Sequence, residues 1–113
     1  MRDGVVLLFY DVSVGEKEAR REYRELFKGL KRDGYMQLQK SVFYKYIRNI
    51  SMYCYEVERI RKMRITQGEV YCIPMSFQNF MRMEALHGQL PDMEMIRSSF
   101  WYLENVKIFC ENS

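Results

Sequence analysis

The sequence has a single histidine, His87, and three cysteines with no C-x-x-C spacing. One histidine leaves a Ser/His or Cys/His nucleophile system one candidate base. His87 stands beside Gly88 at an expected helix end, where an imidazole bonds the last carbonyls. Cys54, Cys72 and Cys110 are odd in number and read as reduced, small core residues of a cytoplasmic protein, not as a disulfide framework or a metal site. No Gly-rich phosphate loop, nucleophile elbow or HExxH motif is present. No segment approaches the roughly 20 apolar residues that span a bilayer, so no membrane partner is expected. The longest early apolar run is six residues with Asp3 in front of it, which does not predict a signal peptide. Internal repeats, low-complexity tracts and domain linkers are also lacking.

What is present is a globular composition: 48% hydrophobic and 29% charged residues in a chain of 113, near the modal size of one domain. The net charge of +3 is unevenly spread. Residues 1–64 carry 15 Lys and Arg against 9 Asp and Glu, whereas residues 65–113 carry 3 against 6. The basic half points to a polyanion or a charged partner. Nine methionines read as soft core filler.

The stretch VVLLFYDVS, residues 5–13, is a short unbroken apolar run that stops on a charge. Such a run predicts a strand buried on both faces, in the middle of a sheet. Asp11 at its end is either a cap for the following turn or a metal-binding carboxylate. Ser13 to Glu16 fits a capping box, and Ala19, Tyr23, Leu26, Phe27 and Leu30 form the stripe of a helix that stops at Gly34. Arg20, Arg24, Lys28 and Lys31 line one flank of it, as a solvated face or as a basic ridge for phosphates.

Residues 35–47 predict two strands with a bend at Lys40-Ser41. A second helix is expected over 51–65, capped by Ser51, with Tyr53, Val57 and Ile60 inward. A strand follows from Glu69, closing at or before Pro74. A third helix is expected after Ser76, using Phe77, Phe80, Met81 and Ala85 and ending at His87-Gly88. Residues 89–98 read as a loop, and Phe100 to Cys110 as one or two strands. The fold class is therefore α+β, a ferredoxin-like βαββαβ antiparallel sheet with helices on one face, plus an extra helix and C-terminal strand. Residues 1–88 are expected to hold that fold with its appended third helix, and 89–113 the loop and strands for docking. The other sheet face is then bare, and a homodimer is the simplest cover.

A lone aspartate makes a weak Mg²⁺ site, but two copies across a twofold axis could share one ion that activates water for phosphodiester hydrolysis. LFYD at 8–11, RREYRELFKGLKRDGY at 20–35, QKSVFYK at 39–45 and GEVYCIPMSFQNFMRMEALHG at 68–88 resemble the Cas2 family of CRISPR-associated proteins, in versions that accompany single-effector systems. That resemblance implies a ferredoxin-like homodimer lying between dimers of the CRISPR integrase, a platform and ruler for double-stranded DNA during spacer acquisition. It also implies Mg²⁺-dependent endonuclease activity in family members, on DNA or RNA, that integration does not require. The family's metal-binding, catalytic aspartate falls on Asp11. Its DNA-backbone arginines correspond in placement to Arg20, Arg21 and Arg24, with Lys28 and Lys31 continuing the ridge. Phe100, Trp101 and Tyr102 are the candidates for the partner-docking edge, with the acidic Glu94, Glu104 and Glu111 near it. The alternative is a stand-alone, toxin-type metal-dependent endoribonuclease of the same fold. A ferredoxin-like RNA-binding module ranks below both, because SVFYKY at 41–46 lacks the K/R-G-F/Y pattern.

Overall fold

The computed structural model describes residues 2–11 and 17–100. Strand β1 (Gly4–Asp11) takes up the apolar run and lies inside the sheet, antiparallel to β3 (Val42–Ile47) on one side and β4 (Glu69–Ser76) on the other. Burial on both faces follows, and Val5, Val6, Leu7 and Leu8 are at most 7% exposed. Strand β2 (Met36–Gln39) pairs with β3 through a turn at Lys40 and Ser41, with a bulge between Gln37 and Gln39. Helix α1 (Lys17–Arg32) joins β1 to β2, and α2 (Tyr53–Arg61), entered through a 3₁₀ turn at Ile50–Met52, joins β3 to β4. The order β2-β3-β1-β4 with every pair antiparallel is the split-βαβ arrangement expected. Strand β4 runs through Pro74 to Ser76 and does not close at it; among the described residues it is an edge strand, the place in a sheet that tolerates a proline.

The core lies between one sheet face and the two helices. Val6, Leu8 and Tyr10 of β1 and Phe43 and Ile47 of β3 meet Leu26 and Leu30 of α1, Tyr35, and Ile60 of α2. Helix α1 stops where Gly34 takes φ +95°, a region glycine enters without strain. Tyr35 N donates to Leu30 O (2.8 Å) and Gly34 N to Lys31 O (3.1 Å), the paired bonds of a Schellman stop. The capping box expected at Ser13–Glu16 lies outside the described residues.

Several expectations need correction. The face away from the helices is bare only in part: Val5, Leu7 and Tyr44 there are buried, whereas Phe9, Met36, Tyr71 and Ile73 are exposed. The second helix ends at Arg61, four residues early. Met63 N and Arg64 N bond three residues back, to Ile60 O and Arg61 O, and Arg64 turns to φ +53°. Its entry is capped by Asn49, whose Oδ1 accepts from Ser51 N (3.0 Å), and not by Ser51. Cys54 is exposed and not a core residue, Cys72 is half-buried, and Cys110 lies outside the described residues.

The chain divides into two units, Met1–Phe77 and Gln78–Ser113. The third helix is a single turn, α3 (Phe77–Phe80). Past Phe80 the chain closes with bonds to the third residue back, Arg82 N to Asn79 O and Met83 N to Phe80 O. Ala85 and Leu86 are exposed and offer no buried stripe to extend it. His87 sits in an exposed bend at 86–88 that ends on Gly88, φ +83°.

Residues 93–100, expected as loop running into strand, are helical. Asp92 caps that helix, its Oδ1 accepting from Met95 N (3.0 Å), and Ile96 and Phe100, four apart, form its buried stripe. Phe100 is thus a buried helical residue, not the start of an exposed docking strand. Trp101 and Tyr102, like the strand expected to Cys110, lie outside the described residues.

One buried polar cluster lies under the sheet. Glu56 of α2, 2% exposed, accepts from Lys45 Nζ of β3 at 2.7 Å and from Tyr35 Oη at 3.2 Å. Burial, and after it the charge of Glu56, pushes the Tyr35 phenol far up, so it stays a neutral donor. Deleting one partner strands the other charge away from water. Glu56→Ala is therefore expected to cost about 3–5 kcal/mol in urea unfolding, and the double variant Lys45→Met/Glu56→Leu to regain most of it. A loss near zero for the single variant would show that the pair is solvated.

Candidate functional site

The antiparallel topology gathers four chain segments at one end of the sheet: the end of β1, the start of α1, the β2–β3 turn and the α2–β4 connection. Asp11 is the last residue of β1 there, and exposed. On its β4 side it lies opposite Glu69 in the ladder. Tyr71 Oη donates to Glu69 Oε2 at 2.9 Å. That bond first, then the charge of Glu69, burial and the charge of Asp11 raise the Tyr71 phenol.

On its α1 side Asp11 borders a cavity of about 410 Å³ with Tyr10, Arg20, Tyr23, Arg24, Lys40 and Ser41. The walls are set by specific bonds. Tyr10 N donates to Ser41 O (2.9 Å) and Tyr23 Oη to Lys40 O (3.0 Å), so the hairpin turn is pinned to both β1 and α1. The Tyr10 and Tyr23 rings stack at 5.6 Å and 17°, continuing through Phe27 to Phe43 of the core. Burial, then the charge of Glu22 and the neighbouring Tyr23, raise the Tyr10 phenol, which donates to Gln67 O at 3.4 Å.

Glu22, on α1 between these groups, reaches the α2–β4 connection. Its Oε1 accepts from Thr66 N (2.6 Å) and Gln67 N (2.7 Å), and its Oε2 from Thr66 Oγ1 (2.6 Å). Burial acts to raise its pKa, but the bonds from Thr66 and Gln67 outweigh it and hold the carboxyl below its ordinary 4.5.

The structure therefore brings Asp11, Arg20 and Arg24 together. Arg21, Lys28 and Lys31 are exposed on α1 away from that cavity: Lys31 Nζ lies 4.9 Å over the Phe27 ring, and Lys28 shares a second hollow with Glu22, Glu25 and Arg32. Lys40 joins the site although sequence reasoning gave it only a turn. A cation in the hairpin of a βαββ unit, which must fold back to the end of β1, was the available signal. Glu22 and Glu69 were also missed.

Chemically, three cations surround one carboxylate over an aromatic floor, which suits an anionic ligand. Asp11 and Glu69 are hard oxygen donors of the kind Mg²⁺ takes. Among the described residues no three His, Cys, Asp or Glu side chains converge, so one chain supplies at most a partial shell. Burial pushes the Cys72 thiol up to about 11, which leaves it protonated and unreactive at neutral pH. Among the described residues no helix is long and apolar enough to cross a membrane.

The family described as "CRISPR associated protein Cas2" matches residues 4–83. A solved structure described as "Crystal structure of cas2" aligns with a TM-score of 0.49 at 18% identity, over 80% of this chain and 92% of that one. Among curated proteins no sequence matches this chain.

The Glu22 clasp gives a pH signature. A carboxyl whose folded pKa is depressed contributes stability above its unfolded value and loses it as pH falls through the folded one. Thermal melting from pH 6 down to pH 3 is thus expected to lower Tm further in the wild type than in Glu22→Gln, the advantage of the wild type shrinking as pH falls below the ordinary 4.5. Parallel curves would show that the clasp contributes nothing.

Proposed function

Because the chain belongs to the Cas2 family of CRISPR-associated proteins, we propose that it serves spacer acquisition as a homodimer that binds double-stranded DNA by its phosphates and bridges dimers of the CRISPR integrase. The observation that carries this reading is the meeting of Arg20, Arg24 and Lys40 around one cavity at the end of β1. Three cations against the single carboxylate of Asp11 leave a local excess of positive charge. That excess attracts a phosphate backbone without reading bases, and a platform that measures length needs no base contact.

Asp11 would repel the same phosphates unless a cation stood between them. Its carboxylate, with Glu69 beside it and the copies from a second chain, is the group that would hold Mg²⁺ there. A bound Mg²⁺ polarises a phosphoryl oxygen and lowers the pKa of a bound water. The residues of the chain then have separable tasks: the arginines and Lys40 hold the backbone, the tyrosines set the wall it lies against, and Asp11 holds the cation. Arg21, Lys28 and Lys31 extend the positive surface along α1. Trp101 and Tyr102, which follow the buried Phe100 in sequence, are assigned to partner docking, and the protein acts in the cytoplasm.

The test is binding of a short duplex by fluorescence anisotropy across a salt series, with co-elution of the chain, the integrase and the duplex. Arg20→Ala/Arg24→Ala is expected to weaken binding and to lower the slope of log K against log[salt] by about 2, one lost phosphate contact for each arginine. Asp11→Ala is expected to abolish any Mg²⁺-dependent cleavage while duplex binding and integrase co-elution persist. Mg²⁺-dependent RNA cleavage by a chain that forms no integrase complex would replace this reading with the toxin-type ribonuclease.

A further inference from the structure

We propose that Glu22 is a positioning residue that sets the Arg20–Arg24 flank of α1 against Asp11, and that it favours binding of an anionic backbone despite its own negative charge. The inference rests on the duplex-binding reading above and adds to it the group that builds the site.

The argument starts from where α1 is held. Near the cavity the helix is fixed on two sides by residues adjacent in sequence. Tyr23 Oη donates to Lys40 O of the hairpin turn, and Glu22 accepts three hydrogen bonds from Thr66 and Gln67 on the opposite side. The second attachment closes a circuit: Gln67 O accepts from Tyr10 Oη, the Tyr10 ring stacks on Tyr23, and Tyr23 follows Glu22 in the helix. Asp11 follows Tyr10 directly, and Glu69 follows Gln67 by two residues. The clasp therefore spans the elements that carry both carboxylates and both arginines. Arg20 lies two residues before Glu22 and Arg24 two after, so a rotation of this turn of α1 moves both guanidinium groups together.

The bonds are of the strong kind. Two backbone N–H groups and a hydroxyl converge on one ionised carboxylate, each at 2.6 or 2.7 Å. Neither N–H has a regular ladder partner to return to, because Thr66 and Gln67 precede β4.

A simple charge account and a positioning account predict opposite signs. If Glu22 acted only as a negative charge on a basic helix, its removal would tighten duplex binding. If it positions the arginines, removal weakens binding although the helix becomes more positive. The experiment uses the full chain, a short blunt DNA duplex, anisotropy over a salt series, and circular dichroism to confirm folding. Glu22→Ala is expected to bind about tenfold more weakly, the scale of one lost charge-assisted contact, with a salt slope shallower by about 1. Glu22→Gln, which keeps an acceptor for the two N–H groups, is expected to fall between Glu22→Ala and the wild type.

Thr66→Val removes one bond of the clasp at constant charge and keeps the test usable where Glu22→Ala does not fold. Its binding is expected to weaken about twofold to threefold, with the order wild type, Thr66→Val, Glu22→Ala preserved. Folded Glu22 variants that bind as tightly as the wild type or more tightly overturn the proposal, as does Thr66→Val binding identical to wild type. A lower Tm with unchanged affinity and unchanged slope assigns Glu22 a purely structural role and also overturns it. A wild type that binds no duplex at all removes the duplex-binding reading first, and this inference with it.

Discussion

A strand paired on both edges and buried on both faces has nowhere along its length to put a charge. Strand β1 obeys that constraint from Val5 to Leu8, and its first charged side chain, Asp11, stands where the strand leaves the core. The rest of the site follows from the same exit. The chain must leave β1 for α1 at that end, β3 and β4 must enter there because both run antiparallel to β1, and the β2–β3 turn must close there. Polar side chains that have no place in the core are thereby collected around one carboxylate.

The acidic residues of the first unit are largely engaged inside it. Glu56 holds Lys45, Asp33 holds Arg59 at 2.6 Å, and Glu22 is taken up by the amides of Thr66 and Gln67. Among the described residues Arg20, Arg24 and Lys40 form no ion pair. The basic character of this unit is thus more than an excess in the count. The anions are withdrawn into structural bonds, and cations at the β1 end are left facing solvent, where an external polyanion can meet them.

Elements whose cause is local were legible in the sequence. The buried run of β1, the Lys40-Ser41 turn and the Gly34 stop each depend on a few adjacent residues, and from these the βαββαβ order follows. What could not be read depends on partners far apart in the chain. Glu22 meets residues 44 and 45 positions on, and Lys45 meets Glu56 across the core. Periodicity shows which side of a helix is polar but not what the polar group will touch. The loop expected over 89–98 failed for a different reason: an aspartate such as Asp92 opens turns and also caps helices, and only the burial of Ile96 and Phe100 selects the helix over 93–100. Lys45 is the reverse case, a charge on a core-facing strand position that pattern alone would make an error and that Glu56 and Tyr35 make tolerable.

These two polar arrangements divide the labour of the first unit. The Lys45–Glu56–Tyr35 cluster is largely shielded from solvent and ties α2 to the sheet. The Glu22 clasp is half-exposed and binds through a carboxylate that gains a proton in acid. It ties α1 to the connection before β4 only while it stays charged. Conditions that weaken it loosen the end of the sheet where Asp11, Arg20 and Arg24 meet before they disturb the core. A site built from connections can thus lose its geometry while the fold persists, so binding at that end is the more sensitive measure of what these side chains do.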